Sequence, residues 1–255
     1  KGHLMKMADY QKMNTVRQRV DEIVEDAATA EALKPWYRQF CKRPCFHDEY
    51  LPTFNLPNVT LVDTDGKGVE RITPTGLVAN GVEYEVDCIV FATGFEVGTG
   101  YTRRAGYEVV GRAGLTLSQK WENGPRTLHG MQTTDFPNCF FLGFTHTAVT
   151  VNVPQALNEQ AMHISYLISQ VRDQEGTTIE ATAEGEQLWV DEIEDKSKLG
   201  ERFRAECTPG YYNNEGKTGN PDGFFTTSYG AGPLRFHRIL HDWREDGRLD
   251  GAAVS

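Results

Sequence analysis

Two short, uninterrupted apolar runs limit what this chain can fold into. "CIVFATG" (88–94) and "CFFLGF" (139–144) are too short for amphipathic helices and are flanked by polar or turn-forming residues. Runs of this kind suit strands buried on both faces of a sheet, as in α/β architectures. Each ends in small residues, where a large flat ring can approach the backbone. As structure alone, each is a core strand leaving its sheet.

The surrounding patterns supply helices and further strands. Between Asp9 and Phe40 the spacing of Met13, Val16, Val20 and Ile23 predicts a helical region, continued by Leu33, Tyr37 and Phe40 after Pro35. Short strands follow at 58–63, 69–73, 77–80 and 82–87, the last two joined by Asn80-Gly81, a strong hairpin signal. A helix is expected to start at Pro154, with Leu157, Ala161, Ile164, Ile168 and Val171 as its inward stripe. Another is expected from Glu184 to Glu206, and a closing one over 232–245, with a polar, glycine-rich loop at 207–223 between them. The expected boundary falls between residues 91 and 92.

With 255 residues the chain can bury a substantial core, and its net charge of −10 disfavours a phosphate-backbone partner. No apolar run is long enough to span a bilayer. The start, "KGHLMKMADYQKM", has no apolar signal core and reads as a tag remnant or an internal beginning. Five scattered cysteines suit a reduced, cytoplasmic protein.

Several chemistries find little support. Cys41, Cys45 and His47 lack a nearby fourth ligand, and Pro44 interrupts any redox-helix spacing, so no metal is expected. There is no Gly-x-Ser-x-Gly elbow and no Gly-x-Gly-x-x-Gly. "GTGYTR" and "GAGPLR" each lack the third glycine that a dinucleotide fingerprint needs.

Taken together, "CKRPCFHDEYLPTFNLPNVTLVDT", "DCIVFATGFE", "KWENGPRTLHGMQTTDFPNCFFLGF" and "YYNNEGK" resemble the C-terminal part of a Baeyer–Villiger monooxygenase, a class B flavoprotein monooxygenase. The resemblance runs from about Asp9 to about Trp243. It implies part of a fold with two dinucleotide-binding domains. Residues 1–91 would end the NADPH-binding domain, and residues 92–255 would be the C-terminal part of the FAD-binding domain. It also implies FAD and NADPH as cofactors, a ketone and O2 as substrates, and the N-terminal half of the same enzyme as partner. The reaction implied is insertion of one oxygen atom into a ketone, by way of a flavin peroxide, to give an ester or lactone. As a fragment alone the chain is expected to be inactive. An N- or S-oxygenating flavoprotein and a non-catalytic interaction module are the alternatives.

The resemblance assigns roles to individual residues. Arg43 matches the catalytic arginine, which stabilises the oxygen anion with a permanent, planar charge. Lys42 matches the residue that favours the 2′-phosphate of NADPH. Thr93 and Gly94 match the interdomain linker beside the cofactors. Asn152, Val153 and Pro154 begin the helix whose positive end faces the flavin. Thr147, Ala148, Val149 and Thr150 match the loop that shapes the substrate pocket, and Tyr211 matches a ring near the nicotinamide ribose. The alternative for the Lys-Arg pair is a surface turn, and for the other segments it is packing.

Overall fold

A computed structural model describes residues 2–94, 100–217 and 228–255. The chain divides into two compact units, Lys1–Phe95 and Glu96–Ser255.

In the first unit the expected long helical region is broken. Helix α1 spans Gly2–Ile23 and α2 spans Ala27–Leu33, separated where Asp26 turns extended and caps α2 by accepting from the Thr29 N–H at 2.8 Å. Val20, Val24 and Ala30 close a small core with Leu33, Leu51 and Phe54. The chain leaves α2 in extended backbone at Lys34, as the following Pro35 demands. Residues 34–49 are therefore irregular, and Phe40, expected in the helical stripe, has φ of 66° and is exposed. Two bonds to Asp9 tie this stretch back to α1: Arg38 Nε at 2.7 Å and the Gln39 N–H at 2.9 Å. Cys41 within it is disulfide-bonded, against the expectation of a fully reduced chain. A single turn, α3 (Tyr50–Thr53), follows.

The meander forms as the turn residues require. Strands β1 (Arg71–Ile72), β2 (Gly76–Ala79) and β3 (Val82–Glu85) pair antiparallel in sequence order, with Leu77 opposite Tyr84. Asn80 and Gly81 both take positive φ, 52° and 74°, the geometry of a tight hairpin turn. Residues 58–63 form no strand. Nor do residues 88–94: Val90 and Phe91 are 82% and 72% exposed. A buried strand needs neighbours to bond and cover it, and none of the described strands pairs with this run. Cys88, expected in the core, is accordingly exposed.

The second unit is helical with one small sheet. Helix α4 (Tyr101–Ala105) and α5 (Leu117–Lys120) come first; a Thr116/Gln119 capping box starts α5. The long α6 covers Val153–Asp173. Strand β4 (Ile179–Ala181) leads into α7 (Ala183–Ser197), then α8 (Glu201–Ala205). The expected helix over 184–206 is thus split by a tight turn at Lys198–Gly200. Helix α9 (Pro233–Asp246) ends at Gly247, and β5 (Ala252–Val254) pairs antiparallel with β4. Leu128, Met131, Ala148, Trp189, Phe236 and Leu240 lie at the centre of the core. Residues 139–144 lie in a loop rather than a ladder, with Phe141 buried in a second cluster beside Leu117 and Phe136.

Helix α6 begins where expected but buries a different face. Ala156, Gln160, His163 and Leu167 are interior, whereas Leu157 and Ile168 of the expected stripe are 37% and 54% exposed. Gln160 wins its interior place through polar bonds that apolar periodicity does not register, and among the described residues His163 is held there by ring contacts alone. Gln160 pairs with the Gly143 backbone, and the His163 ring packs 5.0 Å from Trp243 and 5.3 Å from His129.

Candidate active site

Three of the elements above meet around a cavity of about 700 Å³ in the second unit. Tyr101 from α4, Trp121 after α5 and Phe141 form its aromatic wall, while Gly143, Thr145 and Val153 line the rim near the start of α6. The Trp121 and Phe141 rings lie 4.9 Å apart, and Tyr101 meets Phe141 edge-on at 5.5 Å. Burial pushes the Tyr101 hydroxyl pKa up, so it stays protonated through neutral pH. Gly130 also borders the space; at φ 78° a Cβ there would stand 2.3 Å from the Thr147 methyl. Aromatic walls and bare backbone suit a flat ring system.

The loop at 145–154 is fixed from beneath. Thr147 Oγ1 donates to the Gly143 carbonyl at 2.7 Å, and the Thr147 carbonyl accepts the Tyr229 N–H at 3.0 Å. The His146 carbonyl accepts the Trp189 indole N–H at 3.1 Å, and its Nδ1 lies 2.9 Å from Thr127 Oγ1. Burial, with Arg126 nearby, lowers the His146 pKa to about 4, so the ring is neutral at pH 7. Thr147 and Ala148 are 0% and 1% exposed. They support the loop from inside; Val149 and Thr150 are half-buried and reach its surface. Asn152 caps α6 by accepting the Gln155 N–H at 3.2 Å, with half-buried Val153 and exposed Pro154 in the first turn. The positive end of a 21-residue helix therefore lies at the cavity rim.

The remaining expected site residues occupy other places. In the first unit Arg43 is exposed, and its guanidinium makes no ion pair among the described residues. Lys42 is half-buried, with its ammonium 5.8 Å from the Tyr37 ring centroid. Thr93 and Gly94 are exposed, and Gly94 has φ of 92°. In the second unit half-buried Tyr211 opens a turn at Tyr211–Gly216, its ring 4.2 Å from that of Tyr212. Asn213 anchors this turn by donating to the carbonyls of Arg204, Cys207 and Thr208. Among the described residues no group of three or more His, Cys, Asp or Glu side chains is placed to hold a metal ion. Likewise, no described helix is long and apolar enough to cross a membrane.

Sequence reasoning did not find the wall formed by Tyr101 and Trp121, nor the buried carboxylate of Glu186. Trp121 lies inside "KWENGPR", and its place in that motif is the one signal that could have found it. Burial alone would raise the Glu186 pKa. The Thr134 N–H, the Thr133 hydroxyl and Lys120 outweigh that effect and hold it below the usual carboxylate value.

No protein-family model matches the chain. Individual proteins match strongly. Pentalenolactone D synthase of Streptomyces exfoliatus is 52% identical over 248 residues, covering 96% of this chain and 42% of that protein. A Baeyer–Villiger monooxygenase of Streptomyces coelicolor is 46% identical over 242 residues, 94% of this chain and 40% of its own length. The solved polycyclic ketone monooxygenase of Thermothelomyces thermophila superposes with a TM-score of 0.91 at 39% identity, covering all of this chain and 41% of that one. The chain thus matches, along nearly its whole length, about two fifths of a Baeyer–Villiger monooxygenase.

Proposed function

We propose that this chain is the C-terminal part of an FAD- and NADPH-dependent Baeyer–Villiger monooxygenase that converts a ketone and O2 to an ester or lactone. Residues 1–91 end its NADPH-binding domain and residues 92–255 belong to its FAD-binding domain. The N-terminal half of the same enzyme completes both. The observation that carries this reading is identity of 40 to 52% sustained over 94 to 98% of the chain to proteins including several named Baeyer–Villiger monooxygenases. Neither an N- or S-oxygenating role nor a non-catalytic role is favoured by these relatives.

The residues present fit a flavin ring and not its phosphates. The cavity offers aromatic walls and the α6 N-terminus, whereas no glycine-rich phosphate cradle exists in the sequence. When bound, the flavin supplies the activated oxygen. The protein's part is electrostatic and steric. The α6 N-terminus, at Asn152, Val153 and Pro154, favours negative charge on the ring's edge. Arg43 offers a planar guanidinium that would stabilise negative charge developing on oxygen. Lys42 contributes a point charge to the NADPH 2′-phosphate. Thr93 and Gly94 would form the linker beside the cofactors, and Tyr211 would offer a ring to the nicotinamide ribose. Val149 and Thr150 shape the ketone site, resting on buried Thr147 and Ala148.

Co-expression with the N-terminal half, followed by addition of FAD, NADPH and a panel of cyclic and polycyclic ketones, tests the proposal. Ketone-dependent NADPH consumption and a product heavier by one oxygen atom are expected, with ester formation lost in Arg43→Ala. An assembled enzyme that binds FAD and oxidises NADPH, yet oxygenates only amines or sulfides, would overturn it.

A further inference from the structure

The Gly-Pro-Arg segment spans Gly124–Arg126. Its Pro125 lines the cavity, and a buried carboxylate holds the segment through Arg126. Glu186, in the first turns of α7, is 2% exposed and takes four donors. On Oε1 these are Lys120 Nζ at 3.2 Å and Arg126 Nε at 3.1 Å. On Oε2 they are the Thr133 hydroxyl at 2.9 Å and the Thr134 N–H at 2.8 Å. A carboxylate withdrawn from water is tolerated only when its lone pairs are satisfied in this way.

Arg126 is held at a second point, donating from Nη2 to Gln187 Oε1 at 2.5 Å, so the plane of its guanidinium is fixed. Its carbonyl accepts the Trp121 indole N–H at 3.0 Å. The next residue, Thr127, is wholly buried; its Oγ1 accepts the Gly130 N–H at 3.1 Å and lies 2.9 Å from His146 Nδ1. Trp121 and Gly130 line the cavity, and His146 lies at the base of the 145–154 loop. Glu186 itself does not line the cavity.

We propose that Glu186 is a positioning residue for the cavity. It fixes the Arg126–Thr127 backbone, and that backbone sets the Trp121 wall, Gly130 and the base of the 145–154 loop. Its bearing on catalysis rests on the reading of the cavity as the flavin side of the enzyme; its bearing on geometry does not.

The test uses the chain labelled with 5-fluorotryptophan, its fluorine resonances assigned with single Trp→Phe variants. Glu186→Gln is expected to shift and broaden the Trp121 resonance while that of Trp243 stays in place. Arg126→Lys keeps the charge but loses the planar fork, and it is expected to give the same shift. Lumiflavin, an isoalloxazine without phosphates, is expected to bind about tenfold more weakly to either variant than to the wild type. A Trp121 resonance unmoved in folded Glu186→Gln or Arg126→Lys would overturn the proposal, as would a change shared equally by Trp243 of the same unit, the mark of general loosening. Should Glu186→Gln fail to fold, Arg126→Lys decides. Absence of lumiflavin binding to the wild type would count against the flavin-side reading, and the Trp121 shift would still decide the positioning role.

Discussion

Lowering the pH from 8 to 5 should cost the second unit about 6 kcal/mol of stability. Three histidines are responsible. His129, His146 and His163 are each at most 5% exposed. Their pKa values fall from 6.5 to about 3, about 4 and about 2, with burial the leading cause for each. For His146 the Arg126 charge adds to the effect, and for His163 the His129 ring and the Arg244 charge do. A depressed histidine pKa means that the unfolded chain binds protons the folded chain refuses. The stabilisation is complete above 6.5 and is lost as the pH falls from there toward the folded values. At pH 5 the unfolded form gains about 2 kcal/mol from each ring, at 1.36 kcal/mol per unit below 6.5. The carboxylates with lowered pKa, Glu186 among them, start from 4.5 or below and matter only in more acid solution. Urea unfolding followed by tryptophan fluorescence at pH 8, 6.5 and 5 measures the loss. Trp189 and Trp243 report directly, since their rings lie 4.9 and 5.5 Å from His129. His163→Gln should remove about a third of the pH dependence, whatever it does to stability at pH 8. Equal stability at pH 8 and pH 5, or an unchanged slope in His163→Gln, would refute this reasoning.

Three further outcomes are expected. Glu186→Ala strands two cations and two neutral donors, and should lower stability by about 3–5 kcal/mol in urea unfolding at pH 8. Gly130→Ala meets the Thr147 methyl and a backbone that disfavours side chains, and should cost at least about 2 kcal/mol and weaken lumiflavin binding. In the enzyme reassembled with its N-terminal half, Lys42→Ala should raise KM for NADPH about tenfold and leave that for NADH nearly unchanged, as steady-state rates with each reductant will reveal.

What could be read from the residues was mostly local. The Asn80-Gly81 turn, the start of α6 at Asn152-Val153-Pro154 and the closing helix α9 depend on backbone preferences of the residues themselves, and they stand where expected. What failed depended on partners. The runs at 88–94 and 139–144 have the composition of buried strands, but a strand exists only where another offers it a ladder, and none of the described strands does so. The inward face of α6 was misread because an apolar count cannot register that Gln160 finds a peptide to bond or that His163 finds two rings. The motif around Trp121 and Arg126 could be seen, but its meaning lay in Glu186, 60 residues further on.

Gln160 carries one more implication. Its amide donates to the Gly143 carbonyl at 2.8 Å and accepts the Gly143 N–H at 2.9 Å, so a single side chain reads both backbone polar groups of one residue. Neither glutamate nor leucine can satisfy both, and asparagine falls one methylene short. The long helix is thereby keyed to the rim in one register: sliding by a residue or rolling about its axis breaks both bonds together. A push felt at its first turn therefore moves the rim with it, as one stiff lever.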